Sequence, residues 1–189
     1  MNRCNIIDYL ARTLKAPEQC VVYFYLDQNE LNQNAEFVVR SLLKQLAFQL
    51  SGRTELPPEP VKSAYDRFSL QGNNIYPNIR DFSEIFIACA KLCRTPVYVL
   101  LDGYDKYEYK NQLTSTLIRF IESGFVKVYI TTRTQLREIQ WPLQPTHLKI
   151  ETPDIEVDRF IRANIESKNY HPDLEEKIVK AVTQNAKGM

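Results

Sequence analysis

Three short β-rich, largely apolar runs, each closed by a polar cluster, constrain this chain more than any other feature. They are Val21-Val22-Tyr23-Phe24-Tyr25-Leu26 before Asp27-Gln28-Asn29, Pro96-Val97-Tyr98-Val99-Leu100-Leu101 before Asp102, and Val126-Lys127-Val128-Tyr129-Ile130 before Thr131-Thr132-Arg133. The first, continuously apolar, suits a strand buried on both faces of a parallel sheet, and the other two read as further strands. Between them the apolar spacing is helical. Phe37, Val38, Leu42, Leu46 and Leu50 mark one side of a helix over Ala35 to Leu50, and further helices are expected over Val61 to Leu70, Ile79 to Leu92 and Leu113 to Ile121. The last of these closes at Gly124, a C-cap residue. An earlier helix over Ile6 to Leu14 is stopped by Pro17, and a short fourth strand is expected over His147 to Ile150. Strands alternating with helices imply an α/β sheet with parallel, right-handed crossovers. After Pro153 the pattern is helical twice, over Ile155 to Ile165 and Leu174 to Val182, with no strand between. The expected organisation is an α/β domain over residues 1–152 and the beginning of a helical subdomain over 153–189.

Composition removes several classes of function. With 24 lysines and arginines against 23 acids, the net charge of +1 leaves no footprint for nucleic acid. No apolar run reaches the roughly 18 residues of a membrane span, and no signal-peptide core opens the chain, so the expected compartment is cytoplasmic. Cys89 and Cys93 lie one helical turn apart, but no second Cys/His pair follows at zinc spacing, and His147 and His171 lie far along the chain. The four cysteines, Cys4, Cys20, Cys89 and Cys93, read as buried thiols. His171, in the polar turn Asn169-Tyr170-His171-Pro172-Asp173, reads as a helix-start residue and not as a base.

In an open parallel sheet, ligands bind outside the carboxyl ends of the strands. That rule selects Asp27, Asp102 to Lys106, and Thr131 to Arg133. Asp102 follows an apolar strand in the manner of a Walker B aspartate, where a rigidly held carboxylate positions magnesium bridging nucleotide phosphates. Asp105, three residues on, is placed to orient the attacking water. Arg133, with Thr132, is a candidate to contact a terminal phosphate and report its presence. Each has a plainer explanation, because an aspartate starts turns well and an arginine caps them. No Ser-His-Asp or Cys-His set lies at the strand ends, and no G-x-S-x-G elbow occurs, which argues against another α/β enzyme.

The order Tyr23-Phe24-Tyr25-Leu26-Asp27, Arg40-Ser41-Leu42-Leu43-Lys44-Gln45-Leu46, Val97-Tyr98-Val99-Leu100-Leu101-Asp102-Gly103-Tyr104-Asp105 and Tyr129-Ile130-Thr131-Thr132-Arg133 resembles the NACHT domains of STAND P-loop NTPases. It is most similar to the nephrocystin-like subgroup common in fungal multidomain proteins, as are Asp154-Ile155-Glu156-Val157-Asp158-Arg159-Phe160-Ile161 and the ending Ala186-Lys187-Gly188-Met189. The resemblance implies a three-layer sandwich around a mostly parallel sheet of the P-loop NTPase (ASCE) type. It further implies a bound ATP or GTP with magnesium, acting as a switch in a signal-transduction protein. Two departures matter. The Walker A loop, G-x-x-x-x-G-K-[ST], occurs nowhere in a chain with only five glycines, so the first strand and the phosphate-gripping loop are absent. The resemblance puts that strand inside the sheet, where its loss would leave a gap between neighbours. Lys106 also stands where the subgroup often carries an acid, and could pair with Asp105.

The expectation is therefore a partial switch module that binds nucleotide weakly or not at all alone and does not hydrolyse ATP as it stands. Its partners would be nucleotide in the parent protein, other domains of the same chain and a possible self-oligomer; the ending inside a helical pattern favours a fragment. The alternative is a degenerate P-loop fold that serves protein–protein interaction without chemistry.

Overall fold

The structure, a computed structural model, describes residues 19–27, 33–52, 56–70, 76–133, 136, 139–148, 154–165 and 170–185. The chain divides into two compact units, Met1–Leu143 and Gln144–Met189. Three strands, β1 (Val21–Tyr25), β2 (Val97–Asp102) and β3 (Val126–Ile130), belong to the first unit, with helices α1 (Ala35–Ser51), α2 (Glu59–Leu70), α3 (Ile79–Ala90) and α4 (Lys110–Glu122). A 3₁₀ turn, Tyr104–Lys106, follows β2. The second unit holds α5 (Asp154–Ile165) and α6 (Pro172–Asn185).

The strands are parallel in the order β1-β2-β3, with Val22 opposite Val99 and Val99 opposite Val128. Both crossovers step the same way across the sheet, so right-handedness puts their helices on the same face. The side chains agree. Val22, Val97, Val99, Leu101 and Val126 join one buried cluster with Val38, Leu42 and Leu46 of α1, Phe86 of α3, and Leu113, Leu117 and Phe120 of α4. Phe86 and Phe120 stack with centroids 4.4 Å apart. The start of α3 is fixed by a reciprocal capping box between Asn78 and Asp81. The opposite face of the sheet presents Tyr23, Tyr25, Tyr98, Leu100, Lys127 and Tyr129, of which Tyr23 and Tyr129 remain 39% and 46% exposed. The described residues thus account for the sheet and one helical layer; the helix expected over Ile6 to Leu14 lies outside them.

The two outer margins of the sheet differ. In β1 the backbone of Val22 and Phe24 faces β2, which leaves the groups of Val21 and Tyr23 turned outward. Two glutamines one turn apart on α1 take them. Gln49 accepts from Val21 N–H (3.2 Å) and donates to its carbonyl (2.7 Å), and Gln45 does the same for Tyr23 (3.1 and 2.8 Å). A third, Gln33, accepts from Asp27 N–H at 2.9 Å. At β3 the groups of Phe125 and Thr131 bond to β2, so Val126, Val128 and Ile130 turn theirs outward, where no strand pairs with them among the described residues.

Two sequence expectations change. His147 and Leu148 are exposed and form no strand; Lys149 and Ile150 lie outside the described residues. No gap separates the described strands either, since β2 is bonded along its length on both sides. A further strand can only lie beyond an outer margin. His171 immediately precedes α6, accepts at its carbonyl from Leu174 N–H at 2.9 Å, and places Nδ1 3.6 Å from Asp173.

Candidate functional site

The parallel register brings the carboxyl ends of all three strands to one edge of the sheet, with Asp27 after β1, Asp102 closing β2 and Thr131 after β3. β2 is the central strand, so its last residue is braced from both sides. Leu26 N–H donates to the Asp102 carbonyl at 2.9 Å, and Thr131 N–H donates to the Leu101 carbonyl at 2.9 Å.

The Thr131 hydroxyl then closes the corner. It donates to Oδ1 of Asp102 in a short hydrogen bond and accepts from Gly103 N–H at 3.2 Å. A carboxylate held by a hydroxyl on one oxygen keeps a fixed orientation, and its other oxygen accepts no hydrogen bond among the described residues. Gly103 has φ +77°, and a β-carbon there would meet the Leu26 carbonyl oxygen at 2.9 Å, so the turn after Asp102 lies tight over the end of β1. Tyr104 N–H reaches the Thr131 carbonyl at 3.2 Å, which binds the ends of β2 and β3 a second time.

Asp105 lies in the 3₁₀ turn, partly buried, and its backbone carbonyl accepts a short hydrogen bond from Lys110 Nζ. Behind it Tyr104 is fully buried, with its hydroxyl against Thr114 Oγ1 and 3.3 Å from the Lys110 carbonyl. Burial pushes the Tyr104 phenol above its ordinary range, with the Thr114 hydrogen bond acting the other way. Tyr107 is raised further by burial and by Tyr109 and Tyr104, and its hydroxyl is buried without a hydrogen-bond partner. Thr132 and Arg133 follow Thr131 at the same edge, both exposed. The pairing expected between Lys106 and Asp105 falls on a side chain outside the described residues.

Of the residues selected from sequence, the fold brings Asp102 and the Thr131–Arg133 segment to adjacent strand ends, with Asp105 in the turn that follows. Sequence reasoning gave no separate part to Thr131, the residue that touches Asp102. The contact follows from the register, in which Leu101 is opposite Ile130 and the next residue on each strand meets its neighbour, and that register is not written in either strand alone.

Residues 4–133 match the family described as nephrocystin 3, N-terminal, a stretch that takes in all three strands and ends on Arg133. The chain belongs to that family. No curated protein and no solved structure matches it. In this nephrocystin 3 N-terminal domain, no group of three or more His, Cys, Asp or Glu side chains among the described residues is placed to hold a metal ion. A divalent cation at Asp102 would therefore draw most of its ligands from water and phosphate, which is the usual manner of magnesium. One half-buried carboxylate with an unengaged oxygen is compatible with that manner.

Proposed function

We propose that this chain is the magnesium and phosphate-sensing part of a NACHT-type nucleotide switch of the STAND P-loop NTPases, working in a larger signal-transduction protein. The observation that carries the reading is the Asp102–Thr131 contact, which joins a central-strand carboxylate to the strand end that leads into Thr132 and Arg133. In this reading Asp102 holds magnesium together with ATP or GTP, Asp105 orients water, and Arg133 with Thr132 meets the terminal phosphate. Magnesium would neutralise phosphate charge, and the chain's own residues would orient it and read its ligand. The sequence contains no Gly-Lys-Ser/Thr loop, so the backbone cradle for the phosphates must come from elsewhere. Its strand would lie beside β3, the margin whose backbone groups face outward, because the β1 margin is taken by Gln45 and Gln49.

The test is thermal stability with ATP and magnesium. A ligand at about 100 times its dissociation constant stabilises by about 2.7 kcal/mol. The chain alone should show no shift. The chain preceded by a strand and Gly-Lys-Ser/Thr loop should show one, and Asp102→Ala should remove it. A robust shift in the chain alone, lost in Asp102→Ala, would overturn the claim that the absent loop disables binding. No shift with the loop restored would favour the second reading, an interaction module without chemistry, which the half-exposed Tyr23 and Tyr129 on the open face support.

A further inference from the structure

At the opposite end of the sheet from Asp102, two thiols meet. Cys20 immediately precedes β1 and is buried, and Cys93 lies in the turn between α3 and β2, partly exposed. They are 73 positions apart in sequence, yet Cys93 Sγ lies 3.5 Å from Cys20 Sγ, within thiol hydrogen-bond distance. Tyr98 N–H donates to the Cys20 carbonyl at 2.9 Å, and Cys93 N–H donates to the Ala90 carbonyl at 3.1 Å, so both backbones are anchored. The structure carries Cys20, Cys89 and Cys93 as thiols.

We propose that Cys20 and Cys93 form a reversible peroxide-oxidised disulfide that staples the start of β1 to the turn entering β2. Cys93, the more accessible sulfur, attacks a hydroperoxide as thiolate. Its sulfur takes the distal oxygen as sulfenic acid, and the O–O bond breaks with release of hydroxide or an alkoxide. The Cys20 thiol then attacks the Cys93 sulfur, the S–S bond forms, and the sulfenic oxygen leaves as water with the Cys20 proton. The two sulfurs together lose two electrons and the peroxide gains them. The remaining gap between sulfurs closes by rotation about the Cys93 side chain, which sits in a turn and not in a helix. Cys89 stays out of this chemistry. It is fully buried, and burial pushes its thiol up to about 11, away from thiolate formation. The bridge would close the chain across α1, α2 and α3 without touching the Asp102 edge.

The experiment uses the full chain, reduced, freed of reductant and exposed to a small excess of hydrogen peroxide. Remaining thiols are alkylated, and the digest is read by mass spectrometry beside a thermal melt. The expected product is a peptide pair joined through Cys20 and Cys93, released by dithiothreitol, with a rise in Tm of roughly 5–10 °C. Cys93→Ser should lose both the linked pair and the rise while melting like the reduced wild type, and Cys89→Ser should keep both. Cys93 recovered as sulfinic or sulfonic acid, or joined to Cys4 or Cys89 with Cys20 alkylated, would overturn the proposal. A Cys20–Cys93 bridge without a rise in Tm would overturn the stapling role.

Discussion

At Gly103 the backbone has φ +77°, and a methyl group added there would press on the Leu26 carbonyl at 2.9 Å; Gly124 has φ +76° with open space around it. The left-handed conformation alone costs a non-glycine residue about 1–2 kcal/mol. Gly103→Ala should therefore destabilise by roughly 2 kcal/mol or more and Gly124→Ala by about 1 kcal/mol, as read by chemical denaturation. Tyr107 gives the opposite sign. Its hydroxyl is buried without a partner, so Tyr107→Phe removes a desolvated polar group and should leave stability unchanged or raise it by about 1 kcal/mol. Alkaline pH tests the buried acids together. Burial lifts Cys89 from its ordinary 9.0 to about 11, and Tyr104 and Tyr107 are raised in the same direction. Between the unfolded and folded values the folded chain holds more protons, so stability is complete below about 9 and falls as pH climbs through that window. Melting temperature should be level from about pH 7 to 8.5 and drop between about 9 and 11.

The glutamines of α1 matter at the scale of the element. Gln49 serves the buried Val21, whereas Gln45 serves the more exposed Tyr23, whose backbone groups can turn to water. Gln49→Ala should cost about 1–3 kcal/mol and Gln45→Ala about 1 kcal/mol or less in equilibrium unfolding. These contacts also show where legibility ends. The strands, the helices of the described residues and the edge carrying Asp102 follow from apolar runs and periodicity, because burial of one stripe or one face is written locally. The part played by Gln45 and Gln49 is not, since polar residues on a helix usually face water and only the approach of β1 gives them a backbone to bond.

Across the whole molecule the two units differ in how much apolar surface they bury. The first has a continuous core through β2, α1, α3 and α4, while the second rests on Ile161, Ile165 and Val179 with Ile178 against them. Local opening free energy follows buried contacts. Hydrogen exchange should then find the amides of α5 and α6 exchanging roughly a hundredfold or more faster than those of β2 and α1. Equal protection in both units would show that α5 and α6 gain support beyond their own small core.

The unlike margins of the sheet also set its capacity to polymerise. Fibres that grow by strand pairing require each unit to offer two open sides, one for the unit before it and one for the unit after. With α1 glutamines seated on β1, the described sheet has valence one: a single added strand, or a single second sheet, satisfies β3 and ends growth. Loss of both glutamines would change that number to two, and a chain that stops after one pairing would become one that can propagate.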